Sequence, residues 1–275
     1  TATYQDMIST YTDKIITGYK LDRTENLPLT VSEVVANNVI RVYYVIDDGN
    51  TKTLSYTVEY YKDNVKVDLD TQTVSKTVQI LQPDTLTVDK TQINTTDKYV
   101  GYKLDTDNTT IPDVVNNGDV IRVYYVKDQF DYTVEYYYEG VIDDTKTETI
   151  TATYQDVIST YTDKNITGYK LDRTENLPLT VSEVVANNVI RVYYVKDQFD
   201  YTVEYYYDGV IDDTKTETIT ATYQDVISTY TDKNITGYKL DRTENLPLTV
   251  SEDSGNNIIR VYYVKDQFDY TVEYY

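Results

Sequence analysis

The residues of this chain that could do chemistry are acids, phenols and amides, at spacings that fit ligand contact better than catalysis. Asp143-Asp144, their copies Asp212-Asp213, and the acids Asp197 and Asp200 could gather oxygens around a Ca²⁺. Such a site needs six to eight oxygen ligands, and none of these loops has the alternating acidic spacing of a calcium loop. They read as solvated acids. Tyr137 and Tyr138, with copies Tyr206 and Tyr207, offer flat faces for stacking on a sugar, or a cover for a sheet or a neighbouring module. Paired carboxylates of glycosidase type would need a cleft and perturbed acidities that a small repeated module seldom builds.

The composition narrows the chemistry further. The chain has neither Cys nor His, which removes thiols, disulfides, imidazole acid-base work and Cys/His zinc sites. The expectation is no enzyme, no cofactor and no metal. With 46 acidic against 25 basic residues the formal charge is −21, which repels polyphosphate and anionic membrane surfaces. Nucleic acid is therefore not an expected partner. No apolar run approaches the roughly 18 to 20 residues that span a bilayer, so no membrane insertion is expected. The Asn-x-Thr triplets at Asn94, Asn108, Asn165 and Asn234 arise readily in Thr-rich sequence and are treated as incidental.

The elements that position these residues repeat. Tyr-Thr-Val-Glu-Tyr-Tyr begins at Tyr56, Tyr132, Tyr201 and Tyr270, and Ile-Arg-Val-Tyr-Tyr-Val at Ile40, Ile121, Ile190 and Ile259; the last two intervals are 69 residues in both series. Residues 132–200 and 201–269 differ at five positions: Glu139/Asp208, Val184/Asp253, Val185/Ser254, Ala186/Gly255 and Val189/Ile258. Three of the five lie together and exchange apolar for polar or turn residues. A packed core would not absorb that cheaply, so 184–186 is predicted to be an exposed loop.

The boundaries follow: 1–46 is a truncated repeat without its first strand, 55–126 a divergent repeat with about seven extra residues, 131–195 and 200–264 two near-copies, and 268–275 the first strand of a following repeat. The connection from Val45 to Tyr56 is longer than its counterparts and contains Asp47-Asp48-Gly49-Asn50, a turn-prone run predicted to be a hinge. The connector Lys196-Asp197-Gln198-Phe199-Asp200 is too short and too poor in Gly and Ser to be a flexible linker, so modules should touch there. Phe130, Phe199 and Phe268, with Leu54 in the same place, are candidates for an apolar plug between modules, or for side chains of their own module's core.

With 33 Tyr, 3 Phe and no Trp, any core must be built from Val, Ile, Leu and Tyr, a mixture that favours strands. Period-2 reading puts Tyr132, Val134 and Tyr136 on one face, and Ile190, Val192 and Tyr194 likewise. If the two strands are neighbours, Glu135 meets Arg191 on the outer face as a register pair. Thr145 to Tyr154 reads as a second strand, and Gly168-Tyr169-Lys170-Leu171 opens a third that Asn176 to Pro178 should interrupt. The β-branched run 155–161 predicts a turn or loop and very little helix.

This order of features, Tyr-Thr-Val-Glu-Tyr-Tyr, Gly140, a Thr-rich strand, Gly168-Tyr169-Lys170-Leu171 and a closing Val-Ile-Arg-Val-Tyr-Tyr-Val, resembles the mucin-binding-protein (MucBP) repeat and the related internalin-type B-repeats. The resemblance implies a mainly β fold of tandem β-grasp-like (ubiquitin-like) modules, with Ig-like β-sandwich modules as the alternative. It also implies an extracellular place on the surface of a Gram-positive bacterium, as a stalk or as an adhesin for mucin-type glycans. The first strand ends in Tyr-Tyr-Tyr-Glu-Gly where the family commonly has an acidic turn, so no binding residue is carried over. Self-formed Lys-Asn or Thr-Gln links of surface stalks find no pair selected by spacing. The expected partners are further copies of the repeat, and host glycans in the adhesin reading. The chain carries complementary halves, a repeat without its first strand and a first strand without its repeat. These read as a window on a longer repetitive protein, or as a subunit joining head to tail by strand addition.

Overall fold

The computed structural model describes residues 1–275. They fall into two compact units, Thr1–Asp128 and Gln129–Tyr275. The chain is mainly β: it has no α-helix, only five short 3-10 turns among its strands.

The second unit holds two copies of one module. In the first copy the opening strand, Gln129–Tyr138, turns through Glu139 and Gly140, both at positive φ, into the short strand Val141–Ile142. A return strand, Glu148–Thr153, runs back along the opening strand. The cross strand Tyr169–Glu175 then pairs antiparallel with the closing strand Val189–Lys196. Opening and closing strands lie side by side and parallel, with Thr133 opposite Val189 and Tyr138 opposite Tyr194. The sheet order is thus return, opening, closing, cross. The next copy repeats it with Gln198–Tyr207, Glu217–Thr222, Tyr238–Glu244 and Ile258–Lys265.

Alternation decides which face is buried. Val134, Tyr136, Ile190 and Val192 are fully buried, joined by Tyr132, Leu179 and Tyr194, while Thr133, Glu135, Arg191 and Tyr193 face outward and are half-buried. A parallel pair needs a crossover, usually a helix. Here the path beyond the return strand has no helix: besides the cross strand it is irregular chain and one two-residue ladder, Val157–Ile158 with Leu179–Thr180. The run at 155–161 is therefore partly strand. The cross strand ends at Glu175, and the Asn176 amide then donates to the Val189 carbonyl at 2.9 Å. Residues 184–186 form the predicted exposed loop, continuing into a 3-10 turn at Val185–Asn187. In the next copy Asp253 caps that turn by accepting from the Gly255 amide at 2.9 Å, so the polar exchange supplies its own hydrogen bond.

An irregular crossover leaves backbone polar groups over an apolar sheet, where each needs a partner. Core tyrosines supply them. The Tyr136 hydroxyl donates to the Thr162 carbonyl at 2.6 Å, and its copy Tyr205 does the same to Thr231. The Tyr194 hydroxyl donates to Asp163 and accepts from the Lys164 amide. Phe would fill the same volume and leave these groups unpaired.

The first unit contains one complete module, with strands Thr51–Lys62, Gln72–Gln79, Tyr102–Leu104 and Val120–Lys127 in the same order. Before it stand only Tyr19–Glu25 paired with Arg41–Ile46, and Met7–Ile8 paired with Leu29–Thr30. The predicted hinge is not one. The extra residues lengthen the hairpin of the complete module, so that Thr51 pairs with Gln79. The remaining turn is tied down by Ile80 N–H to Asn50 O at 2.9 Å and Gln79 Nε2 to Asp48 O at 2.8 Å. Paired backbone has replaced the freedom that the turn residues suggested.

Burial raises the pKa of the core phenols: Tyr125 is pushed up to about 12, and Tyr136, Tyr194, Tyr205 and Tyr263 also lie well above the ordinary phenol range. A raised value means that folding favours the neutral phenol. Its contribution is complete below the unfolded value of about 10 and disappears as pH rises through the folded value. Alkaline titration should therefore leave the sheet intact to about pH 10 and unfold it as pH climbs towards about 12. Phenolate absorbance of the core tyrosines should appear together with the loss of far-ultraviolet circular dichroism. Complete phenol ionisation with the sheet retained would contradict this.

Candidate functional site

Two features of the second unit stand out as sites: the place where its modules meet, and the outer face beside the closing strand.

The meeting place is built around Gly168, which precedes the cross strand at φ +78°. Its carbonyl accepts from the Asp197 amide at 2.9 Å, and the Asp197 carboxylate holds Lys170 at 2.9 Å, so the cross strand and the connector form one corner. That lysine, with the Gln198 amide, keeps the Asp197 carboxyl below its ordinary range. The next module contributes Tyr223, from the turn after its return strand. The Tyr223 amide donates to the Asp197 carbonyl at 2.9 Å. Its ring meets Tyr169 edge-on at 6.0 Å and lies so close to Gly168 that a Cβ there would be 2.3 Å from ring carbons. Both the left-handed backbone and the close approach require Gly.

The first unit builds a similar corner from other residues. Asp47 N–H donates to the Gly18 carbonyl at 2.8 Å, and a Cβ on Gly18 would meet Leu81 at 2.5 Å and Ile80 at 2.8 Å. Gly237, the copy of Gly168, has the same conformation, φ +81°, and open space around it.

The residues picked out from sequence are distributed differently. Phe199 backs Tyr223 within its own module at 6.1 Å, and Phe130 does the same for Tyr154. Leu54 is 1% exposed in the core of its own module, and Phe268 is 75% exposed. The ring pressed across the junction is thus Tyr223, because the return strand ends beside the preceding corner while the Phe side chain points back into its hairpin. Sequence reading missed Tyr223. The available signal was Gly168 itself, a glycine at the start of a strand, where a close approach is one of few reasons for it.

On the outer face Glu135 lies opposite Arg191, and Arg191 Nε reaches Glu135 Oε2 at 3.1 Å. The Tyr137 hydroxyl also donates to Glu135 at 2.8 Å. Tyr137 stacks on Tyr193 at 4.8 Å, and Arg173 covers the other face of Tyr193 at 3.9 Å. Tyr138 turns to the other side of the sheet and stacks on Tyr194 at 5.5 Å. These rings spend much of their stacking surface on each other. Beside them runs an open groove of about 570 Å³ lined by Asn176, Pro178, Thr180, Asn187 and Arg191. Matching grooves of about 440 and 770 Å³ lie at Arg41 and Arg122.

A further residue missed in the sequence is Asn188, 1% exposed. Its side chain accepts from Ser182 N–H at 2.9 Å and donates to the carbonyls of Ser182 at 2.7 Å and Asp131 at 3.2 Å. It ties the loop before the closing strand to the opening strand. Asn257 repeats all three bonds.

No protein-family model matches the chain, and no curated protein matches it. Among solved structures, two B repeat units of the collagen-binding protein of Staphylococcus aureus are similar over 92% of this chain and 81% of that chain, at 11% identity and a TM-score of 0.18.

Gly168→Ala and Gly237→Ala should share the cost of a left-handed Ala, about 1–2 kcal/mol. Only Gly168→Ala should also displace Tyr223. Hydrogen exchange of the Tyr223 amide should quicken at least tenfold in Gly168→Ala and stay unchanged in Gly237→Ala; equal protection in both would remove the junction as a built contact.

Proposed function

We propose that these modules are the structural repeat region, a stalk or fibre, of an extracellular surface protein of a Gram-positive bacterium. The observation that carries this reading is the corner at Gly168. The module ends in a connector that is itself hydrogen-bonded to the cross strand, and the next module docks on that corner through Tyr223. Modules joined this way add length in fixed steps, which is what a spacer needs and a flexible linker does not supply. The reading includes no catalytic role.

The β-grasp-like assignment, and with it the likeness to MucBP repeats, is supported by the parallel neighbours at the centre of the sheet, one opening and one closing the module. The formal charge of −21 suits a surface that stays soluble and repels its like.

Excising residues 132–200 removes one repeat without a seam, because Asp131 then precedes Tyr201 as Asp200 does now. A ten-residue strand spans about 33 Å, so small-angle scattering should show the maximum dimension falling by about 30–40 Å on excision. A dimension that scarcely changes would reject the spacer.

The recurring groove favours a second reading, an adhesin for mucin-type glycans. Its amides, hydroxyl and guanidinium suit sugar hydroxyls and acidic sugars, and several weak sites in series would gain from avidity. Mucin-type oligosaccharides titrated into the full chain should shift the NMR signals of Asn176, Asn187 and Arg191 at millimolar concentration. Unshifted signals would leave the spacer alone.

A further inference from the structure

The structure assigns a modification site to the outer face of each complete module: a tyrosine of the opening strand and the tyrosine directly opposite on the closing strand, placed to be joined ring to ring as dityrosine by a peroxide oxidant. The pairs are Tyr61 with Tyr124, Tyr137 with Tyr193 and Tyr206 with Tyr262, each a register pair of the parallel ladder. Their ring centroids lie 4.9, 4.8 and 4.8 Å apart, at interplanar angles of 29°, 22° and 22°. Both side chains of a pair leave the same face of the sheet at the same level, so the rings run outward side by side. All six are half-buried, which keeps them within reach of a small oxidant and leaves them room to tilt.

Stacked rings alone would be ordinary packing. The second observation is a proton acceptor at each phenol of the second unit. Tyr137 donates to Glu135 at 2.8 Å and Tyr193 to Glu175 at 3.0 Å. Tyr206 and Tyr262 donate in the same way to Glu204 at 2.8 Å and Glu244 at 3.0 Å. A phenol gives up an electron most readily when its proton can leave with it, and a carboxylate already in hydrogen bond receives that proton. In the first unit Tyr61 has Glu59 at 2.8 Å, and Tyr124 has no such partner.

The surroundings make the pairing selective. Arg173 and Arg242 cover the other faces of Tyr193 and Tyr262, each at 3.9 Å, so a radical on either ring has the opposite tyrosine as its stacked neighbour. On the core side Tyr138 stacks on Tyr194 and Tyr207 on Tyr263, both at 5.5 Å, but the Tyr138 and Tyr207 hydroxyls are buried without a partner and have no base for the proton. The chain has no Cys, Trp or His and a single Met against 33 Tyr, so oxidising equivalents fall chiefly on phenols.

The step balances as follows. Each phenol loses one electron to the oxidant and its hydroxyl proton to the carboxylate, giving two phenoxyl radicals. Their unpaired electrons form one bond between ortho carbons, and the hydrogen on each of those carbons moves to its phenol oxygen. One hydrogen peroxide takes both electrons and, with the two protons released through the carboxylates, becomes two water molecules. The bond links the first strand of a module to its last, and so constrains the unfolded chain as a disulfide does in chains that have cysteine.

The test treats the full 275-residue protein, dilute enough to sediment as a monomer, with hydrogen peroxide and a small haem catalyst. Dityrosine fluorescence gives the yield, and mass spectrometry after cleavage at Glu locates the links. Tyr137 and Tyr206 then travel with Glu139 and Asp208, and Tyr193 and Tyr262 with Val189 and Ile258, so a link within a module is told from one between modules. The expected products are Tyr137–Tyr193 and Tyr206–Tyr262, each lighter by two hydrogens and formed ahead of Tyr61–Tyr124, with the urea midpoint of the protein raised. The set Tyr61→Phe, Tyr137→Phe and Tyr206→Phe keeps the stacked rings without the phenol; it should give at least tenfold less dityrosine and no shift of the midpoint. Glu175→Gln with Glu244→Gln leaves every ring in place and should slow coupling in the second unit at least threefold, with circular dichroism unchanged. Absence of dityrosine, links scattered over the tyrosines without preference for these pairs, or a yield unaffected by the Phe set would overturn the proposal. None of these results bears on the scattering test of the spacer, which depends on copy number.

Discussion

The parallel pairing of each module's first strand with its last is the constraint from which the rest follows. Two antiparallel strands can be joined by a tight turn, but parallel neighbours need a long return path. This chain makes that path without a helix, so part of the path's backbone must find its partners outside it. The core sheet must therefore present polar atoms at fixed heights within an apolar surface. Tyrosine does this where phenylalanine cannot, and the buried hydroxyls of Tyr136, Tyr194 and their copies hold the covering loop at Thr162 to Lys164. Part of the large excess of Tyr over Phe thus serves the crossover, at Tyr136, Tyr194 and their copies.

The same constraint explains Asn188 and Asn257. The closing strand enters the sheet beside the opening strand, from a loop with exposed apolar residues at one copy and polar ones at the other. A buried amide that bonds both the loop and the opening strand fixes the entry point whatever the loop contains. That is why the divergence between the two near-copies could concentrate at 253–255.

Period-2 patterning made the strands and their buried faces legible, since Tyr132, Val134, Tyr136, Ile190, Val192 and Tyr194 share faces by simple alternation. The facing of Glu135 and Arg191 required only that two strands be neighbours. What sequence did not reveal are contacts made through backbone geometry. Tyr223 looks like any other Tyr at the end of a Thr-rich strand, and its meaning comes from a glycine more than fifty residues earlier in the chain. Leu54 occupies the place of a Phe, and only the packing tells that it faces its own core. The turn at 47–50 has the composition of a hinge, and the ladder that restrains it depends on a two-residue extension of a distant partner strand.

The parallel centre also has a consequence in time. A module whose first and last strands are neighbours has no complete sheet until its final residues exist. As the chain leaves the ribosome from its N-terminus, each opening strand waits, with its hairpin alone, for a partner made last. Nearly identical partners belong to every other module. In the second unit vectorial synthesis resolves the ambiguity, because Val189–Lys196 already has Gln129–Tyr138 beside it when Gln198–Tyr207 emerges. Refolding from denaturant offers all partners at once, so the order of birth carries information that the repeated sequence does not.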